Sequence, residues 1–314
     1  MSLPKSTGTA KTVKQNQRRV TYTKAGLQKI AHELRIDVLK MLEKAKSGHP
    51  ASALGTAEIF SVLYWDYLNI SPQNAQDPSR DKFILSNGHI CPILYATLAK
   101  KGFFPETELN SLRKINALLQ GHPDRNIPGI ETTAGSLGQG LSLATGIALT
   151  QKIEADTANT AGNTATTTKV IVMTSDGELN EGQTWEAAMY APRHSHTPKY
   201  TLDNLTWIID RNNIQISGHT NEVLPLENLR EKLESFNWYV LEIDGHNISE
   251  IQGALKMAEN ITSRPTVIIA HTIPGKGVDF MEKDPKWHGK APNREQMQDA
   301  VAQIKNLLKN IKDY

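Results

Sequence analysis

Near the start of the chain, apolar residues recur at three- and four-residue steps, which is the period of a helix with one buried face. The positions in this stripe are Leu27, Ala31, Leu34, Val38, Met41 and Ala45. Ser47-Gly48, with Pro50 two residues further on, is typical of a helix end, and His49 lies at this break. Residues 57–68 are rich in apolar and aromatic side chains and predict a second, mostly buried helix.

Further along, short apolar runs rich in β-branched residues predict buried strands at residues 83–85, 169–173, 206–209, 239–243 and 266–270. Helical segments are predicted at residues 93–100, 141–149, 226–236, 248–260 and 294–311. Strands that alternate with helices are typical of a parallel sheet with helices on both faces. We therefore expect one α/β domain over residues 23–314, without internal repeats, and a flexible lead at residues 1–22.

Two stretches do not follow these periods. Residues 154–168 are a low-complexity sequence of Ala, Thr and Asn, which predicts an exposed, poorly ordered loop without an assigned role. Residues 193–204 form a second polar insert.

Composition excludes several classes of protein. The 314 residues carry 35 basic and 33 acidic side chains, so no strong field favours nucleic acid or a membrane as a partner. The single cysteine, Cys91, excludes an internal disulfide and indicates a reducing cytoplasm. No apolar run approaches the ~20 residues of a membrane span. Residues 1–19 also lack the apolar segment of a secretory signal.

Oxygen-bearing side chains follow two of the predicted strands. Asp176-Gly177 comes after the first of them, and Asn212-Asn213 comes after the second. Ligands bind at the carboxyl edge of an open parallel sheet. Hard oxygen ligands suit Mg²⁺, which often bridges a protein to substrate phosphates. Asp-Gly alone is common in turns. The prediction of a metal-bridged diphosphate therefore rests on the order of a strand, Asp-Gly, Glu-Gly, Glu-Ala, a second strand and Asn-Asn.

Ten histidines are present. Five directly follow a glycine, namely His49, His89, His122, His219 and His246, and His288 precedes one. Loops at the carboxyl edge of the sheet converge, so several imidazoles there would supply hydrogen bonds and proton transfer near neutral pH. A structural role is expected for His32, and surface positions are expected for His194, His196 and His219. The tryptophans at 185, 207 and 238 are expected in the core.

Residues 132–140 are rich in glycine and open a helix of small residues. Such a helix start is a natural anion site, because its free N–H groups point at the ligand.

The segment from Ser175-Asp176-Gly177 to Asn212-Asn213 resembles the thiamine diphosphate motif, which opens with Gly-Asp-Gly and closes with Asn-Asn. Ser175 stands where that motif has its first Gly. Four further segments are similar to transketolase motifs in order and spacing: Ser47-Gly48-His49-Pro50, Ser86-Asn87-Gly88-His89, Gly121-His122-Pro123, and residues 133–140. The resemblance to the transketolase family covers about residues 23–289.

The resemblance implies roles for individual residues. Mg²⁺, or Ca²⁺ or Mn²⁺ in its place, would be held by Asp176, Asn212 and the backbone carbonyl of Ile214. Thiamine diphosphate would be contacted by His89, Gly135, Ser136, Leu137, Asp176, Gly177, Glu178, Asn212 and His288. Catalytic positions would be His49, His122, His288 and Glu181. Glu181 would join a carboxylate network between the two halves of the active site, and Glu186 would be an interface residue.

The chain looks like the N-terminal subunit of a split transketolase. That resemblance implies a partner with the pyrimidine-binding and C-terminal domains, a heterotetramer with it, and a homodimer without it. The assembled enzyme would move a two-carbon glycolaldehyde unit from a ketose phosphate to an aldose phosphate in the pentose phosphate pathway, with the cofactor as electron sink. Which sugars and which partner are involved stays open, as does whether the chain is naturally split.

Two alternative functions also stay open. The α-type chain of a 2-oxoacid dehydrogenase would share the metal motif. It would not be expected to carry both the Ser-Gly-His-Pro and the Ser-Asn-Gly-His motifs. A non-catalytic, thiamine diphosphate-binding assembly subunit is the second alternative.

Overall fold

The computed structural model describes residues 22–162, 167–192 and 200–312. Its strands are β1 (Lys82–Leu85), β2 (Val170–Ser175), β3 (Leu205–Arg211), β4 (Ile214–Gln215), β5 (Gly218–His219), β6 (Tyr239–Asp244) and β7 (Thr266–His271). Its α-helices are α1 (Lys24–Ala45), α2 (Pro50–Gly55), α3 (Ala57–Val62), α4 (Cys91–Lys100), α5 (Gly140–Thr160), α6 (Gly182–Tyr190), α7 (Thr220–Val223), α8 (Leu229–Ser235), α9 (Ile248–Asn260) and α10 (Arg294–Lys309).

Five strands form one sheet in the order β1, β2, β3, β7 and β6, and every neighbouring pair is parallel. The carboxyl ends of these strands therefore lie along one edge of the sheet, where ligands bind in open α/β folds. Directly after β3, β4 and β5 form a small antiparallel hairpin with Ile216 and Ser217 at its turn.

Strand side chains alternate between two apolar cores, one on each face of the sheet. In β2, Ile171 and Met173 belong to the core that contains α1, α3, α4 and α10, whereas Val170 and Val172 belong to the core that contains α5, α6 and α8. All four side chains are fully buried. Burial on both faces explains why the strands are near-continuous apolar runs. The predicted class, an α/β domain whose mostly parallel sheet is covered on both faces, is confirmed.

Helix α5 corrects the prediction for residues 154–168. It runs to Thr160, so the expected exposed loop is wrong for the first part of that stretch. Alanine favours helix, and the hydroxyls of Thr157 and Thr160 each donate to the backbone carbonyl four residues earlier. These threonines are therefore satisfied inside the helix. Residues 163–166 lie outside the described part of the chain.

Two other helices differ from their predicted bounds. The segment 57–68 consists of α3 followed by a π-helical turn at Leu63–Tyr67. Helix α8 begins only at Leu229, because Glu227 and Asn228 both have positive φ, which an α-helix does not allow. The five predicted strands of the sheet occur within two residues of their expected bounds.

Trp207 and Trp238 lie in the core, as predicted, with ring centroids 5.4 Å apart. Trp185 is only half-buried, at the edge of the same core. The predicted flexible lead, apart from Tyr22, and the predicted surface residues His194 and His196 lie outside the described residues. Of the helices that the structure describes, none has the length and apolarity to span a bilayer.

Candidate active site

A cleft of about 470 Å³ opens where β1, β2 and β3 end. Its lining includes nine residues singled out from the sequence, namely His49, His89, His122, Gly135, Leu137, Gly177, Glu181, Ile214 and His288. The structure therefore brings together segments that lie up to about 240 residues apart in the chain.

The same cleft is lined by Ser175 of the predicted motif and by four residues that sequence reasoning missed: Asn180, Gln215, Ile216 and Ser217. Three of these belong to the β4–β5 hairpin. The dipeptide Ser217-Gly218 is a turn signal that could have indicated this hairpin. Ile216 is 75% exposed, so the hairpin presents an apolar side chain at the cleft.

Three imidazoles pack against each other in the cleft. The ring centroid of His49 lies 5.0 Å from that of His89 and 5.6 Å from that of His288, and the last two are 5.4 Å apart. Each ring has a buried nitrogen without a hydrogen-bond partner in the described residues: Nδ1 of His49, Nε2 of His89 and Nδ1 of His288. Unpaired buried polar atoms are rare in folded proteins, so these nitrogens point to a polar ligand in the cleft.

The electrostatics of the cleft favour neutral imidazoles. Burial, assisted by the neighbouring His288, lowers the pKa of His49 to about 4. Burial likewise lowers the pKa of His89 well below its ordinary value, with His49 adding to the effect. Partial desolvation, with the charge of Arg113 adding to it, lowers the pKa of His122, and burial lowers that of His288. Near pH 7 these rings are therefore unprotonated.

Local backbone geometry sets the position of His49. Lys46 adopts a left-handed conformation that ends α1, and Gly48 follows with φ 130°. An L side chain is strained at this φ, and a Cβ on Gly48 would also lie 2.3 Å from Cδ2 of the buried Leu42, so glycine is favoured there. His49 then directly precedes Pro50, the first residue of α2. The Ser-Gly-His-Pro motif is thus a tight connection between two helices.

Asp176 lies fully buried at the end of β2. Its Oδ1 accepts a hydrogen bond from the N–H of Gly177 at 2.8 Å. Its Oδ2 accepts one from the N–H of Asn213 at 2.6 Å and another from Nη1 of Arg211 at 2.9 Å. Burial raises the pKa of Asp176, and Arg211 opposes this. The carboxylate thus joins the ends of β2 and β3.

Asn212 is held in one amide orientation. Its Nδ2 donates to Oδ2 of Asp210 at 2.7 Å and to Oγ of Ser52 at 3.1 Å. Its Oδ1 accepts from the N–H of Ile214 at 3.0 Å. Since both amide hydrogens are used, the oxygen is the atom left for a further ligand. Burial raises the pKa of Asp210 to about 7.

The residues present fit a metal-bridged diphosphate. Asp176, Asn212 and the carbonyl of Ile214 are all hard oxygen donors, which suit Mg²⁺ with phosphate and water completing its shell. Among the described residues, no group of three or more His, Cys, Asp or Glu side chains could hold a metal. The unpaired nitrogens of His49, His89 and His288 would be available for polar contacts with such an anion.

Glu178 links three segments beneath the cleft. Its carboxylate is fully buried and accepts hydrogen bonds from the N–H of Gly138 at 2.7 Å, the N–H of Ser175 at 3.2 Å and the hydroxyl of Ser86. Burial raises the pKa of Glu178 to about 7. These contacts position the glycine-rich loop, and the predicted contact of Glu178 with a cofactor stays a prediction.

Gly135 faces the cleft and also a smaller neighbouring cavity of about 240 Å³, which Ser136 lines. Glu186 lies outside the cleft, in a groove of about 350 Å³ between α5 and α6. The predicted roles of Ser136 and Glu186 stay predictions.

Not every histidine belongs to the cleft. Nδ1 of His246 lies 3.1 Å from Oε2 of Glu58. Nε2 of the same ring accepts a hydrogen bond from the N–H of Ile273 at 2.8 Å. Its Nδ1 therefore carries the proton and donates to Glu58. His32 is buried beside Arg35, in agreement with a structural role, and His219 is exposed, as predicted.

A larger groove, of about 740 Å³, lies between the start of α1 and the start of α9. None of the buried side-chain atoms without a partner in the described residues belongs to its lining. The smaller cleft at the sheet edge is therefore the better candidate for the active site.

Residues 27–308 match the family described as transketolase, thiamine diphosphate binding domain. The chain is 36% identical to one subunit of the apulose-4-phosphate transketolase of Phocaeicola vulgatus over 275 residues, which covers 87% of this chain and 92% of that relative. It is 38% identical to 6-deoxy-6-sulfo-D-fructose transketolase subunit SqwG of a Clostridium species over 279 residues, covering 88% and 96%.

Among solved structures, the transketolase of Campylobacter jejuni superposes with a TM-score of 0.82 at 33% identity. The match covers 91% of this chain and 43% of that chain. The chain therefore spans about two fifths of the length of that transketolase.

Proposed function

Because this chain belongs to the transketolase family through its thiamine diphosphate binding domain, we propose that it is the diphosphate-binding subunit of a two-chain transketolase. One observation carries the proposal: two relatives that it matches over most of their length are themselves named as transketolase subunits. The second chain would supply the pyrimidine-binding side of the active site. The assembly would be a heterotetramer with two copies of each chain, and this chain alone would be a homodimer.

An apolar surface supports contact with other chains. The groove between α5 and α6 is lined by Gly146, Leu149, Ala187 and Tyr190 among others. Nearby on the same two helices, Leu143 is 43% exposed and Met189 is 52% exposed. Exposed apolar surface of this kind marks protein interfaces.

When bound, thiamine diphosphate would supply the electron sink that allows a carbon–carbon bond of a ketose phosphate to break. Asp176, Asn212 and the carbonyl of Ile214 would hold Mg²⁺. His89 and His288 would contact the diphosphate with their unpaired nitrogens. Gly177 would let the backbone approach the phosphate closely, since it has no side chain.

The neutral imidazoles would handle protons of the sugar. His49, His122 and His288 line the cleft, and a neutral imidazole can accept a proton from a hydroxyl and return it later. An anionic ligand in the cleft would favour the protonated rings and raise their pKa values. A neutral ring would thus become a better base once the cofactor is present.

The test compares this chain alone with the chain bound to its partner. The partner is obtained by co-purification with the tagged chain, and transfer of a two-carbon unit between sugar phosphates is assayed with thiamine diphosphate and Mg²⁺. We expect turnover only from the complex, with light scattering reporting a heterotetramer. Substantial turnover by the isolated chain would refute the two-chain assignment. Release of carbon dioxide from a 2-oxoacid, without sugar transfer, would favour the 2-oxoacid dehydrogenase function instead.

A further inference from the structure

Three successive backbone carbonyls of the Gln120–His122 turn face helix α4. The hydroxyl of Tyr95 lies 3.0 Å from the carbonyl of Gln120 and 2.8 Å from that of His122. Between them, the carbonyl of Gly121 lies 3.2 Å from Sγ of Cys91. The two side chains of α4 therefore fix the rotation of the peptide planes on both sides of His122.

The opposite side of this turn is held by Arg113. Its guanidinium packs so closely against Gly121 that a Cβ there would meet Nε, Cζ and Nη2 at 3.0 to 3.2 Å. Its Nη1 donates to Oγ of Ser47 at 2.6 Å. The backbone of Arg113 has φ 63°, and its N–H donates to the carbonyl of Leu119 at 2.8 Å. The turn is thus clamped between α4 and Arg113.

The imidazole of His122 lacks direct support of its own. The other cleft histidines, His49, His89 and His288, pack against each other through their rings. His122 is exposed, and within the described residues its ring has neither a ring contact nor a hydrogen bond. The direction of its side chain into the cleft must therefore come from its backbone.

We propose that Tyr95 is the positioning residue for His122. By binding the carbonyls of Gln120 and His122 with one buried hydroxyl, it sets the direction in which the imidazole leaves the turn. Tyr95 is itself fully buried and does not line the cleft, so it acts only through the turn. The proposal rests on the proposed transketolase function, in which His122 moves protons of the substrate.

The test removes one oxygen atom. In Tyr95→Phe the ring still fills its site, while the carbonyl of His122 loses its donor and that of Gln120 keeps only Sγ of Cys91, at 3.7 Å. Tyr64→Phe is the matched control, because the hydroxyl of Tyr64 is equally buried but has no partner among the described residues. Displacing a catalytic group by about 1 Å can reduce the rate by ~10²-fold. We therefore expect kcat of the assembled enzyme to fall ~10- to 100-fold in Tyr95→Phe. Affinity for thiamine diphosphate and KM should stay close to wild type, and Tyr64→Phe should retain full kcat.

A double-mutant cycle shows whether Tyr95 acts through His122. In a His122→Ala background, Tyr95→Phe should cause no further loss of kcat. An equal loss in both backgrounds would overturn the proposal, because Tyr95 would then act on another group. Unchanged kcat in the single variant would overturn it as well.

A second measurement does not depend on turnover. Ring nitrogen signals of His122, recorded by NMR on this chain, should shift in Tyr95→Phe and stay unchanged in Tyr64→Phe. Unshifted His122 signals in Tyr95→Phe would overturn the positioning role. An inactive wild-type complex, with His122 shifted, would instead count against the proposed function and leave the positioning of His122 supported.

Discussion

The carboxylate of Glu178 accepts a hydrogen bond of 2.7 Å from the backbone N–H of Gly138, which lies 40 residues earlier in the chain. The hydroxyl of Ser86 donates to the same carboxylate oxygen, and in turn accepts from the N–H of Gly140 at 3.0 Å. One buried acid thus fixes the glycine-rich loop against the ends of β1 and β2. Such a link determines where the loop can present Gly135 to the cleft.

Glu178→Ala should therefore weaken both the fold and cofactor binding. The buried N–H groups of Gly138 and Ser175 would lose their acceptor, at about 1–3 kcal/mol for each unsatisfied group. We expect the free energy of unfolding to fall by about 2–4 kcal/mol in urea titrations. Calorimetry on the assembled enzyme should also report weaker binding of thiamine diphosphate. Glu178→Gln, which keeps one acceptor oxygen, should lose less stability and less affinity for thiamine diphosphate than Glu178→Ala. Equal losses in the two variants would contradict this account.

Asp176→Asn tests the metal site with a minimal change of shape. The substitution removes the negative charge that Mg²⁺ requires and leaves Arg211 without its counter-ion. Mg²⁺-dependent affinity for thiamine diphosphate in the assembled enzyme should fall by about a hundredfold or more, since loss of a mere supporting partner already costs 10- to 100-fold. Asp299→Asn on the exposed face of α10 serves as the control. Wild-type affinity in Asp176→Asn would exclude this carboxylate as a ligand.

Asp210 orients the Asn212 amide and should control metal affinity without touching the metal. In Asp210→Asn, one amide hydrogen of the new side chain competes with Nδ2 of Asn212, so the Asn212 amide can rotate its oxygen away. Metal affinity should fall by ~10- to 100-fold, as measured by electron paramagnetic resonance with Mn²⁺. Thr272→Val, which removes the other donor to Asp210, should have a smaller effect. Unchanged Mn²⁺ binding in Asp210→Asn would show that Asn212 is oriented by other contacts.

The histidine cluster should make stability depend on pH. The folded pKa of His49 is about 4, against ~6.5 in an unfolded chain. Between these pH values the unfolded state binds the proton and the folded state does not. The free energy of unfolding therefore has its full value, as far as His49 is concerned, above pH 6.5 and decreases as pH falls towards 4. His49→Gln should therefore reduce the loss of stability between pH 6.5 and 4, by at most about 1.4 kcal/mol per pH unit. Urea titrations across this range measure the difference, and parallel curves for the two proteins would contradict the depressed pKa.

Arg113 allows a second test of the low pKa of His49. Burial is the largest cause of that low pKa, His288 is the next, and the charge of Arg113 is the third. In NMR titrations, Arg113→Met should raise the pKa of His49. Lys114→Met removes an exposed cation at the adjacent position and should leave that pKa unchanged.

The amino-acid sequence by itself determined the succession of strands and helices along the chain and the residue types at the carboxyl edge of the sheet. Strands such as β2 are buried on both faces, so their apolar runs can be read without knowledge of any neighbour. Parallel strands bring their carboxyl ends to one edge, so Asp176 and Asn212 could be expected together. Where local signals were weak, as in residues 154–160, the sequence predicted a loop and the chain forms a helix.

Only the tertiary structure decided which side chains support the site. Glu178 reaches Gly138, Tyr95 reaches His122, and Asp210 orients Asn212 through a network that also contains Ser52 and Thr272. The structure also separates His246, which bonds to Glu58, from the histidines of the cleft. The physical reason is the same in each case. A buried polar group must find a partner wherever packing places one, and most of these partners lie tens of residues away, where no periodicity along the chain can indicate them.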